Sequence, residues 1–321
     1  MNHKDNLMIV KEESNQKKNQ FDILKSNYFI DKVFNNIYEE KKLEIIKNNK
    51  KLQKRLNINI NNYKEYSQLY SSIEIEIIPN QKRYSHFINI SEDNMKYYHI
   101  YFNDNKKEEI KRTFLNYGEK VSKINIIIDY QIKSFNELFF KCYSIKSINF
   151  KKFNRNNINS MSSMFYGCAY LEEINFSNFN TNNVTNMSGM FTDCASLIEL
   201  DLSNFNTNNV TNMSFMFCGC HSLLDIDLSN FNTNNVTNMR SMFDGCYSLV
   251  YIDLTNFNTN KVTNMSTMFF GCALLEELNL SNFDINKETN MKHMFSDCSE
   301  KLKNNIRVQL KNIKEEAFLN I

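Results

Sequence analysis

Between residues 161 and 298 the apolar positions recur with a period of 26: Met161, Met187, Met213, Met239, Met265 and Met291 each open the pattern M-x-x-M-F. Within one copy, Met187, Met190, Phe191 and Cys194 stand at i, i+3, i+4 and i+7, the spacing of a single helical face, and Thr185 or Asn186 ahead of them is a suitable N-cap. Gly167, Asp193, Gly219, Gly245, Gly271 and Asp297 each precede a cysteine, where residues tolerant of positive φ are expected to end that helix. Leu200-Asp201-Leu202 then alternates apolar and polar, as a short strand does. Each copy therefore predicts strand, turn and helix. A unit this short cannot bury enough surface to fold alone, so copies must stack and share strand hydrogen bonds.

The consensus L-x-x-L-x-L-S-x-F-x-T-x-x-V-T-x-M-x-x-M-F-x-x-C resembles the BspA-like leucine-rich repeats, over about residues 135 to 298. The resemblance implies a solenoid with a sheet on one face and, in many members, adhesion at the cell surface. The predicted fold class is an α/β solenoid, a leucine-rich repeat array of about seven strand-turn-helix units of 24–26 residues spanning 119–298. Phe135, Leu138, Phe139 and Cys142 take the phase of Met161, Met164, Phe165 and Cys168, and Val121-x-x-Ile124-x-Ile126 reads as one further strand of the array. In the last copy Glu288 replaces the recurring Val, and residues 299–321 predict an amphipathic capping helix.

The flank divides three ways. Residues 1–20 are expected to be disordered. Over 21–66, Ile30, Val33, Phe34 and Ile37 form a helical stripe that Leu43, Ile46, Leu52 and Leu56 continue. This order resembles an F-box, which implies a Skp1-type ligase subunit as partner and a substrate-adaptor role; a plain helical cap or a partner-binding helical hairpin is the alternative. Residues 67–118 predict a small β-rich segment with strands in 72–79, 86–91 and 97–102, then a helix near 106–117.

Charge changes this picture more than composition does. The net charge of +2 hides −11 on residues 161–300 and +13 on the rest, so the chain is electrically two-ended. Its first twenty residues hold no secretory apolar run, and no stretch approaches the roughly eighteen apolar residues of a membrane span. The expected location is cytoplasmic, with the cell surface as the family-based alternative.

Seven of the eight cysteines, Cys142 through Cys298 at intervals of 26, are predicted to be buried small hydrophobes in a reducing compartment. Cys218 falls outside that phase and is expected to face out, as is Ser214. Cys218-x-Cys220-His221 lacks the four converging ligands of a zinc site, so no metal is expected. The five histidines have no nucleophile or carboxylate at motif spacing, and no phosphate-binding loop occurs. No enzyme activity and no cofactor are expected. The Asn and Thr of NFNTNN are read as structural groups that satisfy turn backbone.

What varies is the strand face. Glu173 and Asn175, Glu199 and Asp201, Asp225 and Asp227, Tyr251 and Asp253, and Glu277 and Asn279 flank the inward Leu or Ile and point outward. Strands about 4.8 Å apart would stack them into two acidic columns, whose mutual repulsion opposes folding. The candidate partner-binding residues are Glu173, Glu199, Asp201, Asp225, Asp227, Tyr251, Asp253 and Glu277, and the partner class is a basic protein or peptide. Nucleic acid is not expected on this face. A face kept polar only for solubility is the alternative.

Overall fold

The computed structural model describes residues 49–56, 60–285 and 289–320, with Ile30, Phe34 and Ile45 in addition. The expectations for residues 1–20, for Val33, Ile37, Leu43 and Ile46, and for Glu288 lie outside the described residues. The described residues are sheet-rich with few helices, and the chain divides into one unit up to Tyr70 and another from Ser71 onward.

The first unit contains α1 (Lys50–Arg55) and α2 (Ile60–Tyr70). Asn49 caps α1 by accepting the Leu52 N–H at 2.9 Å. Ile30, Phe34 and Leu52 are buried together, with Ile45 and Leu56 packed against them.

In the second unit, alternating isoleucines build a five-stranded sheet of order β2-β3-β1-β4-β5. Its members are β1 (Ile73–Pro79), β2 (Tyr98–Phe102), β3 (Ile124–Ile128), β4 (Ile145–Lys152) and β5 (Glu173–Asn175). The period-two pattern of IEIEIIP buries Ile73, Ile75 and Ile77 and leaves Glu74 and Glu76 to the other face, where Glu76 pairs with Lys123 and Lys151. Pairing is antiparallel throughout except for β4 with β5, where Ile148 lies beside Ile174, one repeat further on. Three expectations change here. β3 contains Ile124 and Ile126 and sits antiparallel between β1 and β2, so these residues close the start of the array instead of adding a parallel copy. Residues 86–91 contribute a single bridge, His86 to Phe114, and no helix forms over 106–117.

The Met-Phe segments bury the side chains the spacing points to, yet none is a helix. Met187, Gly189, Phe191 and Asp193 donate their N–H groups to the carbonyls of Asn212, Ser214, Met216 and Cys218 in the next copy at 2.7–3.0 Å. The residues between them turn inward: Met190, Thr192 and Cys194 donate three residues back, to Met187, Gly189 and Phe191. An α-helix keeps every interior N–H for its own carbonyls four residues back; here alternate amides run along the stack. Left-handed residues four apart, Gly189 and Asp193 at φ +61° and +56°, prevent α-helical continuation. The positive φ expected at Gly167, Asp193, Gly219, Gly245, Gly271 and Asp297 is present, inside these turns.

Stacking puts like on like. Phe139, Phe165, Phe191, Phe217, Phe243, Phe269 and Phe295 form one column, with neighbouring centroids 5.4–5.7 Å apart and near-parallel planes. All seven in-phase cysteines are buried, and six donate their thiols to a Phe carbonyl of the preceding copy, as Cys194 does to Phe165 at 3.1 Å. Thr207 and Thr233 hydroxyls donate to the Asn232 and Asn258 carbonyls and accept the N–H groups of the same residues. Asn230 and Asn256 amides reach carbonyls of the copy before. Ser214, expected outside, is buried, because its hydroxyl donates to Asn212 Oδ1 at 2.8 Å.

The C-terminal segment covers the last copy with different elements on its two sides. Helix α3 (Glu300–Gln309), shorter than the predicted 299–321, is capped by Ser299 and buries Leu302 and Ile306. Its Gln309 side chain donates to the Leu278 carbonyl at 2.8 Å and accepts the Leu280 N–H at 2.9 Å, replacing the missing next strand. On the other side Ala317 accepts the Phe295 N–H, and the Phe318 ring extends the column, 5.6 Å from Phe295.

Candidate functional site

The face opposite the Phe column is made of short extended segments whose inward residues are Leu, Ile and Phe. Regular strand pairing ends at β5; beyond it the copies keep, between these extended segments, the bridge Asp225 to Tyr251 and bonds such as Val250 N–H to the Leu224 carbonyl at 3.0 Å, while the asparagines from Asn186 to Asn290 bridge from copy to copy ahead of the Met-Phe turns. The strands expected at 200–202 and its equivalents are therefore extended but mostly unladdered. Asn side chains and local turns take over the backbone partners that a neighbouring strand would supply.

All eight predicted residues are exposed on this face, in two columns. Glu173, Glu199, Asp225, Tyr251 and Glu277 form the first. The second is Asn175, Asp201, Asp227, Asp253 and Asn279, and its side chains close turns. Each accepts the N–H two residues on, in Ser177, Ser203, Ser229, Thr255 and Ser281, at 2.9–3.0 Å. Hydrogen bonds from Ser203, Ser229 and Thr255 hold the Asp201, Asp227 and Asp253 carboxyls below their ordinary range. Turn formation thus explains the second column without a partner. The first column has no such explanation.

Sequence reasoning missed a third column beside the first. Ile198, Leu224 and Val250 are 51%, 49% and 55% exposed, in register, and Tyr251 is 60% exposed next to them. Their signal was readable: they occupy the first variable position of L-x-x-[IL] in three consecutive copies, where polar residues are the expectation. In the outer copies Glu172 and Glu276 take that position and pair with Lys146 at 3.5 Å and Lys301 at 2.6 Å. Ion pairs therefore bound the aliphatic stripe at both ends. On its far side lie the small Ser196, Ser222 and Ser248.

Where α3 rises over the last copy, a groove of about 390 Å³ opens, lined by Tyr251, Asp253, Glu277, Asn305 and Gln309 among others. It brings together three of the eight predicted residues and places two carboxylates beside an exposed aromatic ring, an arrangement suited to a cationic side chain. Elsewhere, Cys220 points into the core while His221 stacks on Tyr247 at 4.8 Å and contacts the Gly245 carbonyl, so the C-x-C-H residues diverge. Among the described residues no three metal-ligating side chains converge, and no helix is long and apolar enough to cross a membrane. Ile30 and Phe34 of the F-box-like stripe lie in a small core of their own.

No curated protein matches the chain. A solved leucine-rich repeat protein of T. pallidum is similar at 16% identity with a TM-score of 0.31, over 57% of this chain and 78% of that one, a likeness too slight to carry an argument. The model of one family, described as "Mycoplasma protein of unknown function, DUF285", matches residues 133–249 and 222–317, the stretch that carries both the Phe column and the exposed face. Those two matches together take in more than half of the chain, and the chain belongs to this family.

Proposed function

We propose that this chain is a non-catalytic protein–protein interaction scaffold, a BspA-like leucine-rich-repeat solenoid that presents its acidic face to a basic protein or peptide. One observation carries the reading: Glu199 and Asp225 stand exposed beside Ile198 and Leu224, Glu277 follows in the same column one copy past Val250, and none of the three has an ion-pair partner within 4 Å among the described residues. Surface optimised only for solubility has no use for an aliphatic stripe in register over three copies. A charged rim around an apolar centre is the ordinary anatomy of a recognition surface, and Tyr251 is suited to be its anchor. Phosphate-backed ligands are repelled by the same carboxylates. No observation favours the ligase-adaptor or the surface-adhesion reading.

The test targets the column that has no structural duty. Changing Glu199, Asp225 and Glu277 together to Lys is expected to abolish affinity capture of basic polypeptides, read by mass spectrometry, with the circular dichroism spectrum unchanged. An unaltered set of captured proteins would sink the proposal. Asp201, Asp227 and Asp253 are unsuitable for this test because their loss would also open the turns they close.

A further inference from the structure

Resting on the proposed function, we infer that the segment received by this face is an amphipathic basic α-helix lying along the stacking direction, its apolar stripe on Ile198, Leu224 and Val250 and its cationic flank over Glu199, Asp225 and Glu277. The reason is a match of periods. Paired strands stand about 4.8 Å apart, and equivalent Phe rings of successive copies stand 5.5–5.7 Å apart, so the three aliphatic side chains offer one contact per copy at about that interval. A helix presents one face per turn, every 5.4 Å; over two intervals it drifts from the stripe by about 1 Å or less, within side-chain reach. An extended peptide repeats a face every two residues, about 6.8 Å, and is out by about 2–4 Å over the same span.

Strand addition at either end of the stacked copies is no alternative route, because both ends of the stack are covered and the sheet's outer strand β2 lies beyond them. β1 pairs antiparallel on the β4 side, and at the other end Gln309 and Ala317 take the backbone groups of the last copy. The face itself is asymmetric about the stripe, with carboxylates on one side and Ser196, Ser222 and Ser248 on the other. Small residues let a helix approach closely, and the one-sided charge sets which flank of it must be basic. At the α3 end, the groove beside Tyr251, Asp253 and Glu277 has room for one Lys or Arg side chain of the docked helix.

Two synthetic peptides of about 18 residues, of identical Leu, Ala and Lys content, test this against the full chain by fluorescence anisotropy. In one, Leu stands at i, i+4, i+7 and i+11 with Lys on one flank; in the other, Leu and Lys alternate. The helical peptide is expected to bind at least about tenfold more tightly than the alternating one. The variant Ile198→Ser, Leu224→Ser, Val250→Ser, with unchanged melting, is expected to weaken it by at least about tenfold. Equal or tighter binding of the alternating peptide would overturn the helix while leaving a basic partner. Loss of binding on changing Glu199, Asp225 and Glu277 to Lys, with none on the triple Ser change, would do the same. Binding of neither peptide would remove both the helix and the basic-partner proposal.

Discussion

Cys218 is the least buried of the eight thiols, yet it is no open one. Burial, with Asp244 and Asp193 nearby, pushes it up to about 12. Because the thiolate is the reacting species, a thiol reagent on the native protein is expected to label Cys218 first, slowly at neutral pH and faster as pH rises. All eight should react after denaturation, as peptide mass spectrometry would report. Rapid native labelling of the buried column would mean that inside and outside are reversed. Asp227 offers a second check at this scale. Its folded carboxyl is held low by Ser229, so its stabilising contribution is complete above the ordinary carboxylate range and lost as pH falls through the lowered value. Asp227→Asn keeps an acceptor for the Ser229 N–H, as Asn175 and Asn279 do in the outer copies. Melting of this variant should lie slightly below wild type at neutral pH, where it lacks the ionised carboxylate's contribution, and fall less in acid.

At the scale of the element, the turn segments depend on left-handed residues and on the close approach of copies. Gly219 lies at φ +71°, and a Cβ there would meet Asp193 Oδ1 at 2.3 Å and Asp193 backbone at 3.3 Å. Gly118, at φ +75°, has open space around it. Gly118→Ala should therefore cost only the left-handed penalty of about 1 kcal/mol, and Gly219→Ala about 3 kcal/mol, by denaturant unfolding. A similar contrast tests burial. Met216→Asp places a charge in a fully buried column and should cost more than about 4 kcal/mol, whereas Leu224→Asp, half exposed, should stay within about 0.5 kcal/mol. Equal damage would contradict the assignment of the aliphatic stripe to the outside.

Across the repeat-bearing unit as a whole, stability passes from copy to copy, so the ends matter more than their size indicates. Ending the chain after Leu310 would strip the last ring of the Phe column and the Ala317 carbonyl that takes the Phe295 N–H. Hydrogen exchange is expected to accelerate first over 291–298, with 187–246 following at higher temperature, and the uncovered end should drive self-association in sedimentation experiments. The single change Phe318→Ala should reproduce the loosening at a cost of about 3 kcal/mol. Unchanged exchange in both variants would show that the C-terminal segment rests on the array without supporting it.

The 26-residue period by itself determined that Met187, Met190, Phe191 and Cys194 and the leucines that follow are inside, and that the residue before each in-phase cysteine takes positive φ. Those are properties of spacing and of single-residue conformational tolerance, and both are written along the chain. Helix and left-handed turn bury the same i, i+3, i+4, i+7 set, so spacing could not separate them; what decided was where each N–H points, into its own copy or into the next. Only the tertiary structure placed β3 antiparallel inside the sheet, because strand direction and neighbour are choices among distant segments. The acidic columns were legible as positions, but their division into a turn-forming column and a free one required the hydrogen bonds of Ser203, Ser229 and Thr255. The aliphatic stripe was readable only as three apolar residues at a variable position of the repeat. Ile198, Leu224 and Val250 become a surface only when three copies bring them into line with their own Leu197, Leu223 and Leu249 buried behind them, and stacking is a property of the tertiary structure.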